Sequence, residues 1–259
     1  MNATDRLALL WARLLAWFAD LRPAGGSNHA TVSGTQRNDL ITLLNKGHPG
    51  ERWLAAESLG EADPGREGVA ALAVALGSDD PILRAEAGNA LANIGGRAAR
   101  SALLESAAAG DPAVQAAAAD ALGRLLADEA AAQVLQTLLD SPRAVVRQSA
   151  AEALARTGWP SLHKSAETRP DPSPRLLELL TDDPEPMVRR AAALALGRLG
   201  DPAAREALSA RLEDSDEDWR VREAAALAVS RLRADSVVAD SGESKSRALA
   251  EAETPEPSD

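Results

Sequence analysis

The pattern apolar–Arg–x–x–Ala–x–x–small–Leu recurs six times along this chain of 259 residues. Its arginine position holds Arg52, Arg84, Gln115, Arg147, Arg189 and Arg222, at successive spacings of 32, 31, 32, 42 and 33. Three residues after each anchor stands an alanine without exception: Ala55, Ala87, Ala118, Ala150, Ala192 and Ala225. Seven after come Leu59, Leu91, Leu122, Leu154, Leu196 and Val229. Leu83, Val114, Val146, Val188 and Val221 precede the later anchors, and Glu51 departs from the pattern in the first copy. Self-similarity at a period of tens of residues marks an array of stacked units and excludes most single-core folds.

The conserved offsets fall on one face of a helix, so each anchored stretch is an amphipathic helix, B. A shorter apolar stretch, helix A, precedes each one: NDLITLLNK, EGVAALAVALG, ARSALLESAAA, AAAQVLQTLL, PRLLELL and AAREALSARL. Between A and B lie SDDP, GDP, DSP, DDPEP and, in the last copy, DSDED. Asp or Ser suits the N-cap of B, and Pro fits its first turn. The unit is helix–turn–helix, and neither helix can bury its apolar face alone, so stacking supplies the core. Composition agrees: 45% of residues are apolar but only 2% are aromatic. An Ala/Leu/Val core suits close helix packing better than a sheet.

The motif VRRAAALALGRLGDP (Val188 to Pro202) and its copies between Asn38 and Arg233 resemble the short HEAT-like repeat first associated with phycobilisome lyases. The resemblance implies an all-α, right-handed α-solenoid of about six HEAT-like helix pairs, with the B helices lining its concave face. Residues 36–234 form the solenoid in this reading, with an insertion loop at 159–174 that accounts for the spacing of 42. An extra amphipathic helix occupies 1–21, a flexible linker 22–35, and a Ser-, Glu- and Pro-rich acidic tail 235–259 is expected to be disordered.

The anchor arginines Arg52, Arg84, Arg147, Arg189 and Arg222 read as a structural ladder. Asp80, Asp140, Asp183 and Asp218 lie four to seven residues before their arginines and are the expected partners. Five residues after the anchors come Glu57, Asn89, Asp120, Glu152, Leu194 and Leu227; nine after come Glu61, Asn93, Arg124, Arg156, Arg198 and Arg231. A spacing of four pairs Asp120 with Arg124 and Glu152 with Arg156 along their helices. Arg198 and Arg231 stand beside Leu194 and Leu227 instead, an apolar–Arg combination typical of interface hot spots. These six residues, Arg124, Arg156, Leu194, Arg198, Leu227 and Arg231, form the candidate partner-binding set.

The chain has no cysteine, hence no disulfide and no thiolate metal site. A formal charge of −11 argues against a nucleic-acid partner. None of His29, His48 and His163 is followed by Glu. HEAT-like deoxyhypusine hydroxylases hold a di-iron centre with several His-Glu pairs, so that activity does not carry over, and no cofactor or metal is expected. The stretch Leu7 to Leu21 is apolar except for a narrow stripe, and Arg13 interrupts it as a membrane span. With Trp11, Trp17 and Phe18 it can cap the first repeat, lie in a membrane interface, or dock into a partner.

The sequence thus points to a non-catalytic protein–protein interaction scaffold, cytoplasmic or held at a membrane through residues 7–21. A bilin lyase or lyase accessory is the alternative that the resemblance implies, and a DNA-binding HEAT-like protein is a third, disfavoured by charge.

Overall fold

The computed structural model describes residues 33–125, 128–156 and 171–234. All secondary structure among them is helical apart from a single bridge residue, Ala62. Among the described residues twelve helices follow in A/B alternation. The first eight are α1 (Gly34–Lys46), α2 (Pro49–Glu61), α3 (Gly65–Leu76), α4 (Pro81–Ile94), α5 (Gly96–Ala107), α6 (Pro112–Leu122), α7 (Glu129–Leu138) and α8 (Ala144–Arg156). Then come α9 (Ser173–Asp182), α10 (Pro186–Leu199), α11 (Ala204–Glu213) and α12 (219–234).

Helix starts follow the turn chemistry. Asp80 accepts from Ile82 N and Leu83 N, and Asp111 from Ala113 N and Val114 N, each ahead of a first-turn proline. Two boundaries differ from the sequence reading. Ser33 and Gln36 form a reciprocal capping box, so α1 starts at Gly34 inside the expected linker. Ser173 and Pro174, expected in the insertion loop, open α9, with Asp171 accepting from Ser173 N at 2.9 Å.

The first five A helices each pack on the B helix of their own pair: α1 on α2, α3 on α4, α5 on α6, α7 on α8 and α9 on α10. Consecutive B helices also pack on one another, α2 on α4, α4 on α6, α6 on α8 and α8 on α10. The last of these contacts spans the insertion, so the stack continues past it. The result is a helical solenoid with one continuous Ala/Leu core.

The six alanines three residues after the anchors are all buried within that core, none more than 1% exposed. Closer contacts lie at the glycines eight residues after three of the anchors. A Cβ on Gly60 would stand 2.7 Å from Ala90 Cα, one on Gly123 2.7 Å from Ala153 Cα, and one on Gly197 2.6 Å from Ala228 Cα. Glycine is required there because backbone meets backbone between neighbouring B helices. Ala193, one position round the helix from the alanine row, is as fully buried as Ala192. In a stack, B helices are covered on both flanks, so the buried arc is wider than that of a single amphipathic surface helix.

Candidate interaction face

The anchor side chains turn back onto the A helices. Arg52 donates to Leu44 O at 2.9 Å, Gln115 to Ala107 O at 3.1 Å, Arg147 to Ser141 O at 2.9 Å and Arg189 to Asp183 O at 2.8 Å. Arg84 donates likewise to Ser78 O. These carbonyls lie at or just beyond the C-terminal ends of A helices, where helix geometry leaves carbonyls without partners. A glutamine serves equally well, which explains how Gln115 replaces arginine.

Two of these side chains also link adjacent repeats, but through acids other than those nearest before them in sequence. Arg147 forks onto Asp183 of the following repeat at 2.7 and 2.9 Å. Arg189 forks onto Glu217 at 2.9 and 2.5 Å, with Arg211 adding a third contact at 3.4 Å. Asp140 instead pairs with Arg175, and Asp80 accepts from the Trp53 indole at 2.7 Å. The expected pairs fail because the arginine reaches across the stack, where the next A–B turn lies, while its own turn offers backbone carbonyls. Burial alone would raise the Asp183 carboxyl. The Arg147 fork and the Glu185 N–H outweigh it and hold the group below its ordinary value. Glu217 is lowered on the same balance, burial opposed by Arg189, the Asp218 N–H and Arg211.

The outward rows follow the same rule. Asp120 pairs with Arg156, 2.9 Å away and one repeat on, and Glu152 faces Arg190 of the following repeat at 3.9 Å. The along-helix pairs Asp120–Arg124 and Glu152–Arg156 expected from a spacing of four are replaced by these cross-repeat pairs.

At the C-terminal end of the row the acids run out. Arg198 and Arg231 are exposed, with no ion pair among the described residues. Leu227 is 60% exposed, whereas Leu194 is half-buried against the core. Gly197 against Ala228 holds α10 and α12 in contact, which puts the two arginine positions on neighbouring helices. Arg124 is exposed two repeats earlier. Sequence spacing missed Trp219, 62% exposed at the start of α12 with the Arg220 guanidinium 5.6 Å from its ring centroid. Its position three residues before the anchor, where four of the other five copies carry Pro49, Pro81, Pro112 and Pro186, was the available signal. Trp11, Trp17 and Phe18 lie outside the described residues, as do residues 1–21 and the tail.

Among the described residues no group of three His, Cys, Asp or Glu side chains could hold a metal ion. None of the described helices is long and apolar enough to cross a membrane. A shallow recess between α5 and α7 is lined by Arg100 and Asp128, which pair with each other at 3.1 Å.

Residues 37–111, 69–155 and 173–244 match the family model of HEAT repeats. Compared with curated proteins, the chain matches none. An engineered protein of known crystal structure is 26% identical with a TM-score of 0.49, over 77% of this chain and 97% of its own. Human deoxyhypusine hydroxylase in complex with glycerol is 21% identical with a TM-score of 0.36, over 86% of this chain and 91% of its own. The complex of CpcE and CpcF of phycocyanin lyase from a Nostoc species gives 22% identity and a TM-score of 0.35, over 82% and 98%.

Proposed function

The chain belongs to the HEAT-repeat family, and from that premise we propose that it is a non-catalytic scaffold that binds an acidic protein surface. The binding face in this reading is the outward side of α10 and α12, formed by Leu194, Arg198, Leu227 and Arg231. One observation carries it: one repeat earlier in the same row Arg156 has the carboxylate of Asp120 from a neighbouring repeat, while Arg198 and Arg231 have no ion pair among the described residues and lie beside exposed Leu227. Arginine with an exposed aliphatic neighbour combines a fixed charge with apolar area, the composition of interface hot spots. A partner carboxylate would complete the row by the chemistry that Asp120 and Glu152 already supply within the stack. Arg124 and Arg156 extend the face into the middle repeats as a weaker flank.

The test is site-specific photo-crosslinking in cells. A photoreactive residue at Leu227, 60% exposed on α12, is compared with one at Val74, 74% exposed on the A helix α3. Both positions are accessible, so accessibility alone does not separate them. The expected result is a discrete protein adduct at 227 and none at 74. Adducts at 74 alone would move the partner to the A-helix side and overturn the assignment.

A further inference from the structure

The outward row is paired across repeat junctions by a fixed offset. Asp120, five residues after its anchor, meets Arg156, nine after the next anchor, at 2.9 Å. The equivalent slot at the first junction holds Glu57 and Asn93, an acid without a base. The second junction holds Asn89 and Arg124, and the fifth Leu194 and Arg231, each a base without an acid. At the fourth, Glu152 is drawn to Arg190 at 3.9 Å, and Arg198 is left over. The stack thus closes the middle of the row internally and sorts the remainder by sign. Acids stand alone on α2, and arginines on α10 and α12.

Glu57 and Glu61 are both exposed, one turn apart, with no ion pair among the described residues. Like charges at that spacing repel. Desolvation and, after it, the charge of Glu57 raise the Glu61 carboxyl above its ordinary value. Consecutive packing of the B helices from α2 to α12 keeps these acids in the same outward row as Arg198 and Arg231. Packed helices lie about 8–10 Å apart, so α2 and α12 are separated by roughly 40–50 Å along the stack. Charges are screened beyond about 8 Å at physiological salt, so the two ends of one chain cannot satisfy each other.

We propose that the row is self-complementary and that the acidic surface met by α10 and α12 is α2 of a second copy of this chain. The inference rests on the acidic-partner reading above and names the partner. A twofold axis parallel to the B helices reverses the order of repeats while keeping equal offsets opposite one another. Glu61 then meets Arg231 of the second copy, and Glu57 lies against its Leu227. Asn93 faces Arg198 of the second copy, and the twofold repeats each contact at the other end. Glu223 lies two turns before Arg231, opposite Trp53, and stays clear of the Glu61 contact. At the centre Asp120 and Glu152 already have arginines. Arg124 would face Arg156 of the second copy there, so the two ends make the contacts and the centre stays solvated. Closed twofold pairs are the commonest homo-oligomers, and their interfaces must be self-complementary.

The experiment follows the mass of the full chain by light scattering and sedimentation over a concentration series. It compares the parent, Arg198→Glu/Arg231→Glu, Glu57→Arg/Glu61→Arg and an equimolar mixture of the two variants. The parent should form a dimer, and each reversal should weaken it about tenfold or more, because like charges then face each other. The mixture should recover the parent's association, since opposite signs meet at both ends of a mixed pair. Raising salt from about 0.1 M to about 1 M shortens the screening length from about 10 Å to about 3 Å, and should weaken the parent and the mixture alike. A monomeric parent would overturn the second copy; a different protein captured at 227 would then leave the acidic-partner reading standing without it. A dimer indifferent to both reversals, or variants that do not recover on mixing, would overturn it too. Species that grow beyond two copies would indicate an open head-to-tail contact and overturn the twofold arrangement.

Discussion

Gly88 and Gly197 sit in equivalent helices, yet replacing each by alanine should shift stability in opposite directions. Alanine in place of glycine within a helix gains about 0.8–1 kcal/mol in propensity. At Gly88 the new Cβ would meet Ala121 Cβ and Leu76 Cδ1 at 3.4 Å, which is van der Waals contact with side-chain atoms. Gly88→Ala should therefore stabilise by about 0.5–1 kcal/mol. At Gly197 the Cβ would lie 2.6 Å from both Ala228 Cα and Ala228 Cβ. Carbon atoms pack at about 3.5–4.0 Å, so α10 and α12 must separate by about an ångström. No rotamer change relieves a clash with backbone. Overpacking of a core costs about 1–3 kcal/mol, enough to exceed the propensity gain at all but the lower end. The expected net effect is a loss of about 1–2 kcal/mol, or about 2–8 °C in melting temperature for a domain of this size. Circular dichroism melts and urea titrations of both variants measure it. A Gly197→Ala protein at least as stable as the parent would refute the close B–B approach.

Other expectations follow from the same contacts. Ala192→Leu and Ala193→Leu should each destabilise by about 1–3 kcal/mol, because both side chains are fully buried; a neutral Ala193→Leu in thermal melts would put α10 in the wrong rotation. Arg147→Met leaves the Asp183 carboxylate buried and unpaired, and urea titration should show a loss approaching about 3–5 kcal/mol, while an effect below about 0.5 kcal/mol would make the fork incidental. Asp183 and Glu217 have folded pKa values below their unfolded ones. Their contribution is therefore fully present above the unfolded values of about 3.9 and 4.3 and is lost as pH falls through the depressed folded values. Stability measured from about pH 5 down to 2 should fall less steeply in Asp183→Asn than in the parent, and identical slopes would contradict the linkage.

The helix pairs were legible because the period is written in the residues that pack: the alanine three after each anchor and the leucine seven after, Val229 in the last copy, occupy buried positions throughout. Turn chemistry was legible for the same local reason, through Asp80, Asp111 and the first-turn prolines. Cross-repeat contacts were not. Asp120 and Arg124 are four apart in sequence, but Asp120 meets Arg156, because the offset between neighbouring helices is set by packing of Gly123 on Ala153. The same offset brings Asp183 to Arg147 over 36 positions. The sequence marked Arg198 and Arg231 as lacking an acid along the helix; only the stack showed that no neighbouring repeat offers one among the described residues.

The interaction reading meets its most direct test in the dissociation constant of the protein captured at position 227. It is measured for the parent, for Arg198→Glu/Arg231→Glu and for Arg124→Glu/Arg156→Glu. The first pair is solvated in the free protein, so its reversal should leave helicity and melting unchanged while weakening binding by about a hundredfold or more, close to 2.8 kcal/mol. The second pair includes Arg156, already engaged by Asp120, so its reversal should lower stability slightly and change binding by less than about threefold. Loss of binding in the middle-repeat variant, with full affinity kept in Arg198→Glu/Arg231→Glu, would contradict the assignment of the face to α10 and α12.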